Sequence, residues 1–227
     1  MNNRLLAALT FALWIPAGLP AQPSASPNLY GKIEGQTYAA PGGFFKIQIP
    51  VLPEFGGEVH DTENVVTFDD SVSTHISIAN FPLDMSLKWE FETRGARDFL
   101  ASFYSTFVIS DFQARYPSAT TEGIQFHPGL LEGSLLAFSL LPGGSFFEKT
   151  KNVIVGPGTE PAVAKRGSLL FVRNGRIFIL SSELAERVTQ RSVFQKTAEE
   201  ENEILRLRLI DLAGRMQFPV IPRPKKR

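Results

Sequence analysis

Residues 168–182, SLLFVRNGRIFILSS, set Asn174-Gly175 between two apolar runs. Both turn residues tolerate a positive φ, so the stretch predicts a β-hairpin closed by a two-residue type I′ turn. A loop of that length sets the register. Arg173 falls opposite Arg176, Val172 opposite Ile177, Phe171 opposite Phe178, Leu170 opposite Ile179 and Leu169 opposite Leu180. Phe171, Phe178, Leu169 and Leu180 then share one face, and Val172, Ile177, Leu170 and Ile179 share the other. A strand pair that is apolar on both faces has to be covered on both. The rest of the chain must therefore supply two layers.

Two segments have the periodicity to do so. Ala96, Phe99, Leu100, Phe103, Tyr104 and Phe107 recur at helical spacing, with Arg97, Asp98, Ser102 and Ser105 on the other side. This helix is expected to begin near Thr93, with Gly95 weakening its first turn, and Pro117 stops whatever remains of it. The second segment runs from about Ala198 to Met216, with Leu205, Leu209, Leu212 and Met216 as its stripe. Three glutamates at 199–201 open it and Arg215 closes it, an order that suits the helix dipole. Trp89 and Phe91 lie outside the predicted elements and are assigned to the core ahead of an exposed contact patch.

The remaining pattern is mostly strand. Phe45, Ile47 and Ile49 alternate with Lys46 and Gln48 and end at Pro50. Residues 65–70, 75–81 and 121–127 read as strands, and 133–141 is apolar almost throughout, as a central strand would be. Residues 146–155 are a further candidate strand. Residues 156–167, GPGTEPAVAKRG, read as a mobile loop without the spacing of a phosphate-binding loop. The economical architecture is α+β: one antiparallel sheet with a helix on each face. Domain organisation follows as a leader at 1–21, a linker at 22–29, one domain at 30–218 and a basic, Pro-rich tail at 219–227.

The leader is read from the apolar run 5–19 behind Arg4, with Ala21 at the cleavage position. The run is short for a membrane span and is interrupted by Pro16. The chain is 43% hydrophobic and has no cysteine, which excludes disulfide frameworks and thiolate chemistry and leaves the core to stabilise an exported domain. Charge balances at 23 basic and 23 acidic residues. Setting aside Arg4 and the four basic residues of the tail leaves the body with five more acidic than basic residues, which is no nucleic-acid footprint.

The order of elements resembles the PsbP family and its relatives, the Ran-binding Mog proteins and the DcrB-like periplasmic proteins. The residues carrying the resemblance are GFFKIQIP at 43–50, VVTFDD at 65–70, His75–Ile78, GRIFIL at 175–180 and the long helix that finishes in Met216-Gln217-Phe218. It spans most of residues 30–218. The resemblance implies an α/β/α sandwich that acts by docking to partners and not by catalysis. No cofactor is expected.

The sequence carries few catalytic motifs. Gly-x-Ser-x-Gly, His-Glu-x-x-His, dinucleotide and calcium-loop patterns do not occur. Ser134, Ser145 and Ser168 follow glycines in apolar surroundings and read as structural. The histidines are His60, His75 and His127. His60-Asp61 with Glu63 and Asp69-Asp70 with His75 come together if the strands at 65–70 and 75–81 pair. The sequence therefore supports an exported, non-enzymatic accessory or binding protein whose partner is a protein or small ligand of the envelope. Arg173 and Arg176 at the hairpin tip are its candidate contacts. The alternative is a small exported hydrolase or metal-binding protein using His60, Asp70 and His75. A structural component that assembles through its sheet edges is the third reading.

Overall fold

The computed structural model describes residues 24–25, 29–70, 72–150, 161–190 and 192–220. In chain order its elements are β1 (Ser24–Ala25), β2 (Lys32–Glu34), β3 (Thr37–Ala39), β4 (Lys46–Gln48), β5 (Glu58–Asp61), β6 (Val65–Asp69) and β7 (His75–Pro82). Helix α1 (Met85–Phe103) then runs through a π-helical turn (Tyr104–Val108) into α2 (Ile109–Arg115). The second half holds β8 (Thr120–His127), β9 (Ser134–Pro142), α3 (Phe146–Thr150), β10 (Val163–Arg173), β11 (Arg176–Glu183), α4 (Glu186–Thr189), α5 (Ala198–Gly214) and β12 (Met216–Gln217). The predicted leader at 1–21 and tail residues 221–227 lie outside the described residues.

The hairpin has the register its turn dictates. Arg173 pairs with Arg176, and the pairing continues through Phe171 with Phe178 and Leu169 with Leu180. Asn174 has φ 52° and Gly175 has φ 70°, the positive values a type I′ turn requires. The two strands are the central pair of an eight-stranded sheet ordered β1-β5-β6-β7-β11-β10-β9-β8. Every pairing in it is antiparallel except β1 with β5.

Both faces are covered, as the hairpin demands. Leu205, Leu209, Leu212 and Ala213 of α5 pack with Leu169, Phe171, Phe178 and Leu180. Phe99, Leu100, Phe103, Tyr104, Val108 and Ile109 pack with Leu135, Ala137, Leu170 and Ile177 on the opposite face. Gly167 permits the close approach of α5: a Cβ there would lie 2.9 Å from Leu209 Cδ1 and 3.1 Å from Leu205 Cβ.

The single sheet expected from the pattern is corrected to two. β12, β4, β3 and β2 form a separate four-stranded sheet. It carries Tyr38, Phe45 and Ile47 into the same core as α5. Alternation reports that a strand has one buried face but not which strand it pairs with. The end of the chain completes this sheet, with Met216 opposite Ile47. Asp61 of β5 fastens the two sheets, accepting hydrogen bonds from Tyr38 Oη at 2.7 Å, Gly31 N at 2.7 Å and Tyr30 N at 2.9 Å.

Three local expectations also change. The first helix reaches back to Met85, because Asp84 Oδ1 accepts the Leu87 N–H at 2.8 Å and caps it. Leu83 just before the cap and Leu87 and Phe91 on the helix are partly buried in the core, while Trp89 points outward at 64% exposure. Gly95, at φ 75° and ψ 164°, breaks the helix between these residues and the stripe at Phe99. Phe146–Thr150 is a helix and not a strand; Ser145 Oγ accepts the Glu148 N–H at 3.3 Å at its start. Residues 163–167 of the expected mobile loop form the first half of β10. Lys165 and Arg166 give that stretch a loop-like polarity, but both are accommodated by carboxylates inside the fold.

Candidate functional site

The side chains that could do chemistry collect on the sheet face beneath α1 and α2. Strand pairing lines them up in two rows. One row runs Ser139, Arg166, Glu183, with His75, Asp69 and Glu58 at the far end. The next runs Ser168, Ser181, Ser77, Thr67, His60. Directly paired residues project to the same side of a sheet, so the rows form a polar band across an otherwise apolar face.

The middle of the band is buried and tied together. Glu183, 1% exposed, accepts from Ser145 Oγ at 2.6 Å, from Phe146 N at 3.1 Å and from Arg166 Nη2 at 3.3 Å. Tyr104 Oη contacts Ser139 Oγ at 2.8 Å and Thr121 Oγ1 at 3.1 Å. His75 stacks on Phe146 with 4.2 Å between ring centroids. Burial, with Arg166 nearby, pulls its pKa down to about 3, so the ring is uncharged at neutral pH.

The open end of the band holds Glu58, His60 and Asp69. His60 Nε2 lies 3.0 Å from Glu58 Oε2. One donor atom from each of the three residues falls within 4.8 Å of the others. Asp69 is 7% exposed. Burial raises its carboxyl above the usual range; His60 opposes this, and Glu58 and Asp70 add to it.

The trio His60, Asp70 and His75 is therefore not the cluster that forms. Asp70 turns away and closes the β6–β7 connection, where its Oδ1 accepts from the backbone N–H groups of Val72, Ser73 and Thr74 at 2.8, 2.6 and 2.9 Å. Burial works against that charge, but these bonds hold its pKa below the usual carboxylate range. His75 is committed to Phe146. Asp61 projects to the opposite face from His60 and is used by the small sheet. Glu58 was invisible as a partner because only the β5–β6 register places it opposite Asp69.

The hairpin tip is structured as well. The Arg173 guanidinium lies 4.7 Å from the Phe218 ring centroid, and that of Arg176 lies 3.8 Å from the Phe44 centroid. Arg176 also donates to Asn80 Oδ1 at 2.8 Å and Asn80 O at 3.2 Å.

A buried charge network lies on the α5 side and had no signal in the sequence. Lys165 is fully buried and bridges Glu122 and Glu201, while donating to Ala198 O at 3.1 Å. Arg187 Nη1 meets both oxygens of Glu201, at 2.6 and 2.7 Å. Below it, a cleft of about 290 Å³ between β7 and α5 is lined by Ser182, Glu186, Arg208, Asp211 and Arg215 among others. Its arginines are paired with its own carboxylates, Arg208 with Glu186 and Arg215 with Asp211.

No family model matches the chain, and no curated protein matches it in sequence. Solved structures do match. The yeast (Saccharomyces cerevisiae) Ran-binding protein Mog1p is 8% identical, with 83% of this chain covering 95% of that one at a TM-score of 0.46. The cyanobacterial PsbP of Synechocystis is 13% identical, with 81% of this chain covering 92% of that one at a TM-score of 0.45. A Bacteroides thetaiotaomicron protein is 11% identical at a TM-score of 0.38; 83% of this chain covers it, and the match spans only 50% of the Bacteroides chain. Mog and PsbP proteins are two of the three kinds of chain that the sequence is read as resembling, the DcrB-like proteins being the third.

Proposed function

We propose that the protein is an exported, non-enzymatic accessory protein that acts by docking to a protein or small ligand of the cell envelope. The observation that supports this reading is the uneven cover of the sheet. The apolar core under α1 and α2 draws on β8, β9, β10 and β11 and takes no residue from β5 or β6. On that side β5, β6 and β7 present His60, Thr67 and Ser77, which are exposed or half-buried. Among the described residues, the core under α1 and α2 does not extend over this part of the face, and hydroxyls with an imidazole suit a partner with polar groups of its own. The hairpin tip belongs to the same reading as a second contact, with two half-buried arginines side by side for an acidic partner.

A photo-crosslinking residue in place of Thr67 tests the docking face, with the same residue in place of exposed Leu207 on α5 as control. A discrete crosslinked product from position 67 and none from 207 is the expected result. Equal products from both, or none from 67, overturn it. Export rests on the sequence of residues 1–21 and is tested by the intact mass of protein from its native host. Removal of the leader after Ala21 is expected, and a full-length cytoplasmic chain defeats it.

A further inference from the structure

We propose that Glu58, His60 and Asp69 form a binding site for a divalent transition-metal cation of the zinc class, with solvent completing the coordination shell. The site shares His60 with the docking face, but cation binding does not depend on docking and survives its failure.

The backbone supplies the preorganisation. Glu58 and His60 are two residues apart on β5 and project to the same face. Asp69 stands directly opposite Glu58 on β6 and projects to that face too. Three donor atoms from two paired strands thus converge within 4.8 Å of one another. Ligands on one zinc ion sit about 2.0–2.2 Å from it, so they need to approach one another a little more closely than this. Glu58 and His60 can make that adjustment, since both side chains are about half exposed. One imidazole nitrogen with two carboxylate oxygens is a borderline donor set that suits zinc and its neighbours better than magnesium or calcium.

A second observation points to a cation. Asp69 is 7% exposed, and the charged groups beside its carboxylate are His60, Glu58 and Asp70. A buried carboxylate set among other carboxylates calls for a positive partner. The neighbouring Glu58 makes the local charge more negative, and a single imidazole cannot balance two carboxylates. Asp70 does not compete for the ion, because three backbone N–H groups already hold its Oδ1. The open side of the trio lies toward solvent through Glu58 and His60, which gives the ion a route in and leaves room for water.

The test is titration of the tag-free chain with Zn²⁺ by calorimetry and with Co²⁺ by visible absorption. Saturable one-to-one binding is expected. His60→Ala and Asp69→Asn should each weaken it about tenfold or more, while His127→Gln leaves it unchanged. His60 is exposed, so His60→Ala keeps the fold and reads the site even where Asp69→Asn does not. Absence of saturable binding, or affinity unaffected by His60→Ala, overturns the assignment.

Discussion

Arg173 and Arg176 face each other across the hairpin, and each is drawn off to a different aromatic ring, Arg173 to Phe218 and Arg176 to Phe44. Like charges opposed across a strand pair repel. Here cation–π stacking and the two bonds from Arg176 to Asn80 offset that repulsion.

On sequence grounds, changing both arginines to Glu merely exchanges one like-charge pair for another and leaves stability nearly unaltered. The contacts at the tip change that expectation. The double-Glu variant should lose about 1–3 kcal/mol, most of it at Arg176, which also gives up its bonds to Asn80. Urea melts of the single and double variants measure this, and an unchanged midpoint would mean the stacking contributes nothing. Partner affinity of the same variants at two salt concentrations reports any docking role separately.

Phe171 and Phe178 are 0% and 1% exposed and stack at 5.2 Å. Truncating either to Ala should cost about 3–5 kcal/mol, because the cavity lies between a central strand pair and α5 and cannot collapse easily. Denaturant unfolding with an unchanged slope is the measurement. A loss below about 1 kcal/mol for both would contradict the packing.

Glu201 is 3% exposed and serves both Lys165 and Arg187. Glu201→Ala leaves Lys165 buried with Glu122 as its remaining carboxylate partner and should destabilise by about 3–5 kcal/mol. Replacing Glu203, which is exposed and, among the described residues, paired with Arg206 on the same helix, should leave stability nearly unchanged. Thermal melts of the two variants side by side separate the buried network from the surface pair.

His75 produces a pH signature. In the unfolded chain it takes a proton near 6.5, whereas in the fold burial and Arg166 delay that to about 3. The unfolded state therefore binds more protons between these values. Stability is unaffected by this group above pH 6.5 and falls as pH drops toward 3, by up to roughly 1.4 kcal/mol per pH unit. Unfolding free energies measured from pH 7 to 5 should show this slope, and His75→Phe should remove its contribution. An identical slope in the variant would show that His75 does not carry it.

Local signals in the sequence determined the hairpin, its register, its two apolar faces and the helical stripes at Phe99–Phe103 and Leu205–Leu212. Turn chemistry and side-chain periodicity act over a few residues, so they are legible without any partner. Only the tertiary structure decided what pairs with what. It sent the 45–49 strand into a second sheet with β12, and it set Glu58 beside Asp69 while turning Asp70 into a backbone cap. It also buried Lys165 between Glu122 and Glu201, residues that are 79 positions apart and carry no mutual signal along the chain. Hydrogen-bond pairing between distant strands and the neutralisation of buried charge depend on which surfaces meet. That is decided by burying the whole core at once and not by any short stretch of it.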